Sequence, residues 1–223
     1  MLFGVFHYTK EKLFLGENME LDIYDFDKTV VPYDSGSTFL IFCFLRYPYL
    51  FLLLPFYVVM GLLLGLHVIR LDRFKKHIFV FIRFIPLKKA VKAFWDKHEK
   101  DVFDWFLPEN RERYTVVISA SPDFLLKEIA ARLKIDTLLC TRHDPKTGTL
   151  LYNNCRGEEK VRRFFEAFPD GAKVNTVYSD SYKNDRPIFS LGHACVHIEK
   201  GGKRTPFNYK EKYGEAPRAQ SAG

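Results

Sequence analysis

Cysteine is scarce in this sequence and never clustered. Its four cysteines, Cys43, Cys140, Cys155 and Cys195, stand far apart, with no Cys-x-x-Cys pair and no cysteine–histidine grouping at zinc spacing. That excludes a zinc-ribbon or disulfide-stapled design and leaves ordinary thiols suited to a reducing cytosol. The opening stretch MLFGVFHYTKEKLFLG lacks the basic start, unbroken apolar middle and small-residue cleavage site of a secretory signal, so none is expected. Met19, directly ahead of the first predicted strand, is a second candidate start of translation. There is no internal repeat. No helix-turn-helix or RNA-binding motif occurs, so no nucleic acid is expected as a partner. Charge, finally, is missing from one long segment: Tyr47 to Ile69 contains no Lys, Arg, Asp or Glu.

The remaining composition is that of a folded protein. With 223 residues, 47% of them hydrophobic, the chain suits one large domain or a core with a modest insertion. The net charge of +7 favours an anionic partner, whether a membrane surface or a phosphorylated substrate. The excess is concentrated in residues 70–92, RLDRFKKHIFVFIRFIPLKKAVK, where eight Lys or Arg face a single acid, Asp72. A solvated helix face is the ordinary fate of such a run, but this one directly follows the uncharged segment.

That segment, YPYLFLLLPFYVVMGLLLGLHVI, has the length of a membrane span, yet Pro48, Pro55, Gly61 and Gly65 punctuate it. A straight helix through Pro55 would lose a main-chain hydrogen bond and kink. Two arrangements therefore stand level: a pair of short helices buried in a cap, or an interfacial or re-entrant hairpin. A complete crossing ranks below both, because the two ends of the segment would then lie on opposite sides of the bilayer while both must return to one site.

Downstream, short β-rich runs alternate with helical ones. TVVIS (115–119), DTLLCT (136–141), VNTVYSD (174–180) and ACVHIE (194–199) read as strands, with helices from about Asp123 to Leu133 and around Lys160 to Phe168. DPKTGTLLY reads as a hairpin loop ahead of the next helix. Such alternation predicts an α/β fold with a parallel sheet and helices on both faces. The polar stretch after Gly201 is expected to be loose.

In an open parallel sheet ligands collect at the carboxyl ends of the strands, so the residues just past each strand carry the functional signal. The first strand ends in YDFDKTV, with Asp25 and Asp27 two apart. A calcium loop starting at Asp25 is excluded, since its sixth and twelfth places hold Val30 and Gly36 instead of Gly and Glu. The second strand ends in Ser119-Ala120-Ser121-Pro122. Lys160 opens a helix, and the strand after it ends in SDSYKNDRP with Asp180, Asn184 and Asp185. Taken singly, each has a bland explanation: a turn aspartate, a surface lysine, or, for Ser121 ahead of Pro122, a helix cap.

As an ordered set they resemble the haloacid dehalogenase-like superfamily of phosphotransferases, subfamily IB, which includes phosphoserine phosphatase and phosphatidylglycerophosphatase C. The family pattern is D-x-D-x-T after the first strand, Ser or Thr after the second, a Lys, and an acidic pair after a later strand; here Asp25/Asp27/Thr29, Ser119, Lys160 and Asp180/Asp185 match it. The resemblance covers residues 19–200. Lys28 stands where many members have Gly, and four residues separate Asp180 from Asp185 where the subfamily more often has three. The resemblance implies a Rossmann-like parallel sheet with an α-helical cap inserted after the first strand. It implies that Asp25 is a nucleophile forming an aspartyl-phosphate and Asp27 a general acid and base. Ser119, the Ala120 N–H and Lys160 would bind the phosphate. Asp25, the main-chain carbonyl of Asp27 and Asp180 would hold Mg²⁺, supported by Asp185 in preference to Asn184. Thr29 would tie the loop structurally.

The domain reading that follows is an N-terminal extension (1–18), a catalytic core (19–34 and 111–200), a hydrophobic helical cap (35–110) and a polar tail (201–223). A cap rich in Phe and Leu with a basic sequel fits a lipid phosphate such as phosphatidylglycerophosphate, handled by a cytoplasmic protein peripheral to, or re-entrant at, the inner face of the membrane. The alternatives are a cytosolic phosphatase of small phosphorylated molecules, phosphoserine phosphatase-like, and a non-catalytic membrane-binding module on the same scaffold.

Overall fold

The structure, a computed structural model, describes residues 19–69 and 77–215. The expected N-terminal extension and four of the eight basic residues, Arg70, Arg73, Lys75 and Lys76, lie outside them. Six strands form one sheet: β1 (Glu20–Tyr24), β2 (Tyr114–Pro122), β3 (Thr137–Thr141), β4 (Lys173–Ser179), β5 (Ala194–Ile198) and β6 (Arg204–Phe207). Their order is β3-β2-β1-β4-β5-β6. The first five run parallel and β6 is antiparallel to β5.

Strand residues alternate between two cores. Leu21, Ile23, Val116 and Ile118 face one side, where Phe164 of helix α5 (Glu158–Ala167), Phe168 just past its end, and Ile188 and Phe189 of α6 (Arg186–Phe189) cover them. Tyr24 and Val117 face the other side, among Phe39, Phe94, Trp95 and Leu125. Those residues lie on α1 (Ser35–Arg46), α3 (Leu87–His98) and α4 (Asp123–Arg132). Helices thus lie on both faces, as the strand and helix alternation predicts.

The insertion between β1 and β2 divides in two. Asp34 caps α1 by accepting the Ser37 N–H at 2.7 Å, and Phe39, Cys43 and Phe44 then form its buried stripe. In α3, Ala90, Val91, Phe94 and Trp95 are buried, and the Trp95 indole donates to the Leu125 carbonyl at 2.9 Å. These helices share the core of the sheet. Among the described residues, the uncharged segment joins that core only through Leu50, with Tyr47, Leu53 and Tyr57 packed against it. A 3₁₀ helix (Pro48–Leu53) runs into α2 (Leu54–Gly65), where Pro55 occupies the first turn, a place that needs no N–H donor. None of the α2 residues is buried, although Tyr57 packs against the core from one side.

The tail expected to be loose is structured over part of its length. Gly201 and Gly202 adopt positive φ and turn the chain, so that β6 pairs with β5 and α7 (Tyr209–Tyr213) packs behind it with Tyr209 buried. Two residues that adopt positive φ without strain make this turn, and the polarity around them hides it in the sequence.

Loop 142–150, with its single antiparallel bridge between His143 and Leu150, rests on the insertion. Gly148 has φ +72° there, and a Cβ would stand 2.0 Å from the Phe79 carbonyl oxygen. Gly171 has φ +81° with open space around it. Gly171→Ala should therefore cost about 1 kcal/mol, and Gly148→Ala roughly 2–4 kcal/mol, in urea unfolding.

Candidate active site

The chain leaves β1, builds β2 and β3 on one side, then crosses to place β4 on the other, so the end of β1 is the switch point of the sheet. Asp25 extends the pairing by one step, its N–H donating to the Tyr178 carbonyl at 2.9 Å. The Phe26 carbonyl then accepts from the N–H groups of Thr29, Val30 and Val31. This tight turn passes through Lys28 at φ 58°. It holds Asp25 and Asp27 at the sheet edge in separate surroundings.

Asp25 is buried in a network of charges. Lys160 Nζ lies 2.7 Å from Asp25 Oδ1 and 2.8 Å from Asp185 Oδ1. Thr29 Oγ1 donates to Asp25 Oδ2 at 3.3 Å and accepts the Asp180 N–H at 3.0 Å, linking the loops after β1 and β4. Ser179 Oγ donates to the second oxygen of Asp185 at 2.6 Å. Burial pushes the Asp25 carboxyl up to about 7, against the opposing pull of Lys160. The Lys160 ammonium is held well above its usual range because Asp25 and Asp185 outweigh its burial. Asp180 is raised as well, by burial and by Asp185.

Asp27 is bound by different partners. Its Oδ1 accepts the Ser35 N–H, the first residue of α1, at 3.0 Å, and its Oδ2 accepts the Ser121 hydroxyl. Ser35 Oγ donates to Ser121 Oγ at 3.1 Å, and the Ser121 N–H donates to Ser119 Oγ at 3.1 Å. Burial, then the nearby Asp34, lift the Asp27 carboxyl to about 6, while the serine hydrogen bonds pull it down. One carboxyl thus faces an ammonium, while its neighbour sits in a ring of neutral donors.

The structure brings Asp25, Lys160, Asp180 and Asp185 together, with Thr29 bridging, and sets Ser119 beside Ser121 and Asp27. Ser121 is not a helix cap: α4 starts after Pro122 with no side-chain cap, and the hydroxyl serves Asp27 instead. Ser35, Ser121 and Ser179 do not stand out as site residues in the sequence: a serine near a helix start, as Ser35 and Ser121 are, is first a cap, and Ser179 simply ends β4. Asn184 points elsewhere, accepting from Arg156 at 2.8 Å, so the inward acid is Asp185.

Oxygens of Asp25, Asp180 and Asp185 lie within 4.8 Å of one another. An all-carboxylate donor set suits a hard cation such as Mg²⁺. The charge agrees, since three carboxylates face one ammonium and two of the three are raised by burial with other acids nearby.

A sequence model described as haloacid dehalogenase-like hydrolase matches residues 23–190. No curated protein sequence matches the chain. Among solved structures, a protein of unknown function from Bordetella pertussis Tohama I is 15% identical with a TM-score of 0.57, over 74% of this chain and 83% of that one. A phosphoserine phosphohydrolase-like protein from Francisella tularensis subsp. tularensis SCHU S4 is 17% identical with a TM-score of 0.53, over 80% of this chain and 87% of that one. At such identities the likeness speaks for the fold alone.

The raised carboxyls predict a pH-dependent response to cation. A group whose pKa is raised by folding stabilises the protein fully at low pH and loses that contribution as pH climbs through the folded value, here between about pH 4 and 7. A divalent cation offsets the loss and competes with protons for the same oxygens. The rise in Tm on adding Mg²⁺ should be larger near pH 7.5 than near pH 5, with EDTA-treated protein as reference.

Proposed function

From a chain that belongs to the haloacid dehalogenase-like hydrolases, we propose a phosphomonoesterase working through an aspartyl-phosphate. The observation that carries this reading is the unequal housing of two carboxyls two residues apart. Asp25, gripped by Lys160 and Thr29, is fixed for attack. One of its oxygens forms a bond to phosphorus as the ester P–O bond breaks. Asp27, lifted to about 6 by burial, gives its proton to the departing alkoxide. It then takes a proton from the water that attacks phosphorus, releasing phosphate and restoring Asp25. The Ser119 hydroxyl and the Ala120 N–H donate to the phosphoryl oxygens, and Lys160 balances their charge. Mg²⁺, held by Asp25, Asp180 and the Asp27 carbonyl with Asp185 behind, would neutralise the mutual repulsion of carboxylate and phosphate.

Asp25→Asn should abolish hydrolysis of a simple phosphomonoester while leaving thermal unfolding cooperative. Asp27→Asn should cut turnover by about 10²–10⁴-fold, with slow decay of any phosphoenzyme formed from an ester with an activated leaving group. Asp180→Ala should raise the Mg²⁺ concentration for half-activity far more than Asn184→Ala.

The leaving group, on this proposal, is a membrane-borne lipid alcohol. What supports it is the exposed apolar run Pro48–Gly65, 18 residues with a mean hydropathy of 2.0 and only 6% buried. Exposed Arg46, Arg83, Lys88 and Lys89 flank it in the chain. The protein would then work at the cytoplasmic face of an anionic membrane. Flotation should show binding to anionic vesicles that weakens with salt yet persists, because each basic residue adds about 1 kcal/mol and the apolar part is salt-insensitive. A protein that ignores such vesicles and prefers a soluble phosphate ester would establish the cytosolic alternative.

A further inference from the structure

Four residues separate Asp180 from Asp185, in a stretch with neither helix nor strand, so no backbone ladder fixes the distance between the two acids. Inside it the bonds are short-range. The Ser181 N–H donates to Ser179 Oγ at 3.0 Å, and Ser181 Oγ accepts from the Asn184 N–H and side-chain amide at 3.2 and 2.9 Å. Tyr182, in the middle of the stretch, is held by another part of the chain. Its ring stacks on the His197 ring of β5, with centroids 3.9 Å apart and planes 17° from parallel, and Lys212 Nζ lies 3.6 Å from the ring centroid. Phe207 of β6 meets the same ring edge-on at 5.1 Å, and the Tyr213 hydroxyl donates to the Tyr182 carbonyl at 2.7 Å. Phe207, Lys212 and Tyr213 all belong to the tail.

We propose that Tyr182 is a positioning residue for the cation site, and that the tail from Arg204 to Tyr213 is the frame that holds it; the inference rests on the reading of Asp25, Asp180 and Asp185 as cation ligands. The frame is itself anchored. β6 pairs with β5, Tyr209 is buried, and Phe207 packs edge-on against Phe189 at 4.9 Å. The loop is then pinned at three points: the Asp180 N–H on Thr29 Oγ1, the Asp185 carboxylate on Lys160 and Ser179, and Tyr182 on the tail. Carboxylates fixed in this way have less conformational freedom left to lose when an ion binds. Lys212 gives the proposal its sign. Its positive charge, acting through space alone, would repel a cation, so its removal would tighten binding; as part of a grip on Tyr182, its removal loosens the loop and weakens binding.

The test is binding of Mn²⁺ alone to the EDTA-treated full chain, read from the loss of the free-ion EPR signal, with Tm in EDTA measured on the same samples. Tyr182→Ala should weaken Mn²⁺ binding by about tenfold or more, whereas Tyr182→Phe, which keeps the ring, should stay within about twofold of wild type. Lys212→Met should weaken binding by about two- to fivefold, the worth of one exposed cation–π contact. In the Tyr182→Ala background the Lys212 substitution should have no further effect, since the ring it grips is gone. Lys212 is exposed, so its variant tests the grip even where Tyr182→Ala fails to fold. Unchanged Mn²⁺ affinity in Lys212→Met and Tyr182→Ala, whatever their Tm, overturns the positioning role. Tighter binding by Lys212→Met overturns it as well, because that is the mark of bare charge. Wild-type protein that takes up no Mn²⁺ overturns the cation reading and this inference with it.

Discussion

One buried ammonium holds the candidate site together. Lys160 lies within 2.8 Å of both Asp25 and Asp185, which arrive from opposite ends of the sequence, and all three are buried. A lone charge in that position would cost several kcal/mol, and a lone pair would scarcely repay its own desolvation. Here each member has further partners, Thr29 on Asp25 and Ser179 on Asp185, so the charges stay paired on every side. The geometry of β1, α5 and the loop after β4 is therefore fixed by a single side chain. Thr29 extends the constraint: its hydroxyl gives to one acid and accepts from the main chain of another, so the two loops move as one.

The same interaction explains why two carboxyls so close in sequence behave differently. Alternation along an extended segment sends Asp25 and Asp27 to the same edge but not to the same neighbours. Asp25 meets a cation, while Asp27 meets the start of α1 and a hydroxyl, donors that stabilise a carboxylate without ion pairing. Attack needs an ionised, immobile oxygen, and proton transfer needs a group that titrates near working pH. Burial first, and the neighbouring acids second, keep Asp25 and Asp180 raised in pKa, so a cation entering the cluster would favour their ionised forms.

Much of this was legible in the sequence. Five parallel strands and the acids at their ends follow from β-rich runs and from what stands just past each, because a parallel sheet gathers those positions at one edge. What escaped depended on three-dimensional contact. Ser121 looks like a cap, since the signal for a cap and for a hydroxyl aimed at a distant carboxylate is the same residue before a helix. Ser35 reads as the opening of a helix, and only the fold reveals that its N–H meets Asp27. Asp185 and Asn184 are equivalent in spacing to within one residue, and the side chain pointing inward decides between them. β6 was lost because polarity around a Gly-Gly turn reads as disorder, although Phe207 packs edge-on against Phe189 at 4.9 Å.

α1 joins the two halves of the molecule. Its first residue touches the proposed acid and base, its buried stripe of Phe39 and Cys43 fixes it to the sheet, and its last turn borders the exposed apolar segment. A helix packed this way cannot slide along its own axis without breaking the aromatic contacts of Phe39 with Phe81, Phe94 and Phe124. The interval between chemistry and apolar surface is consequently a constant of the fold. A rigid helix therefore holds the candidate site and the exposed apolar segment at one separation.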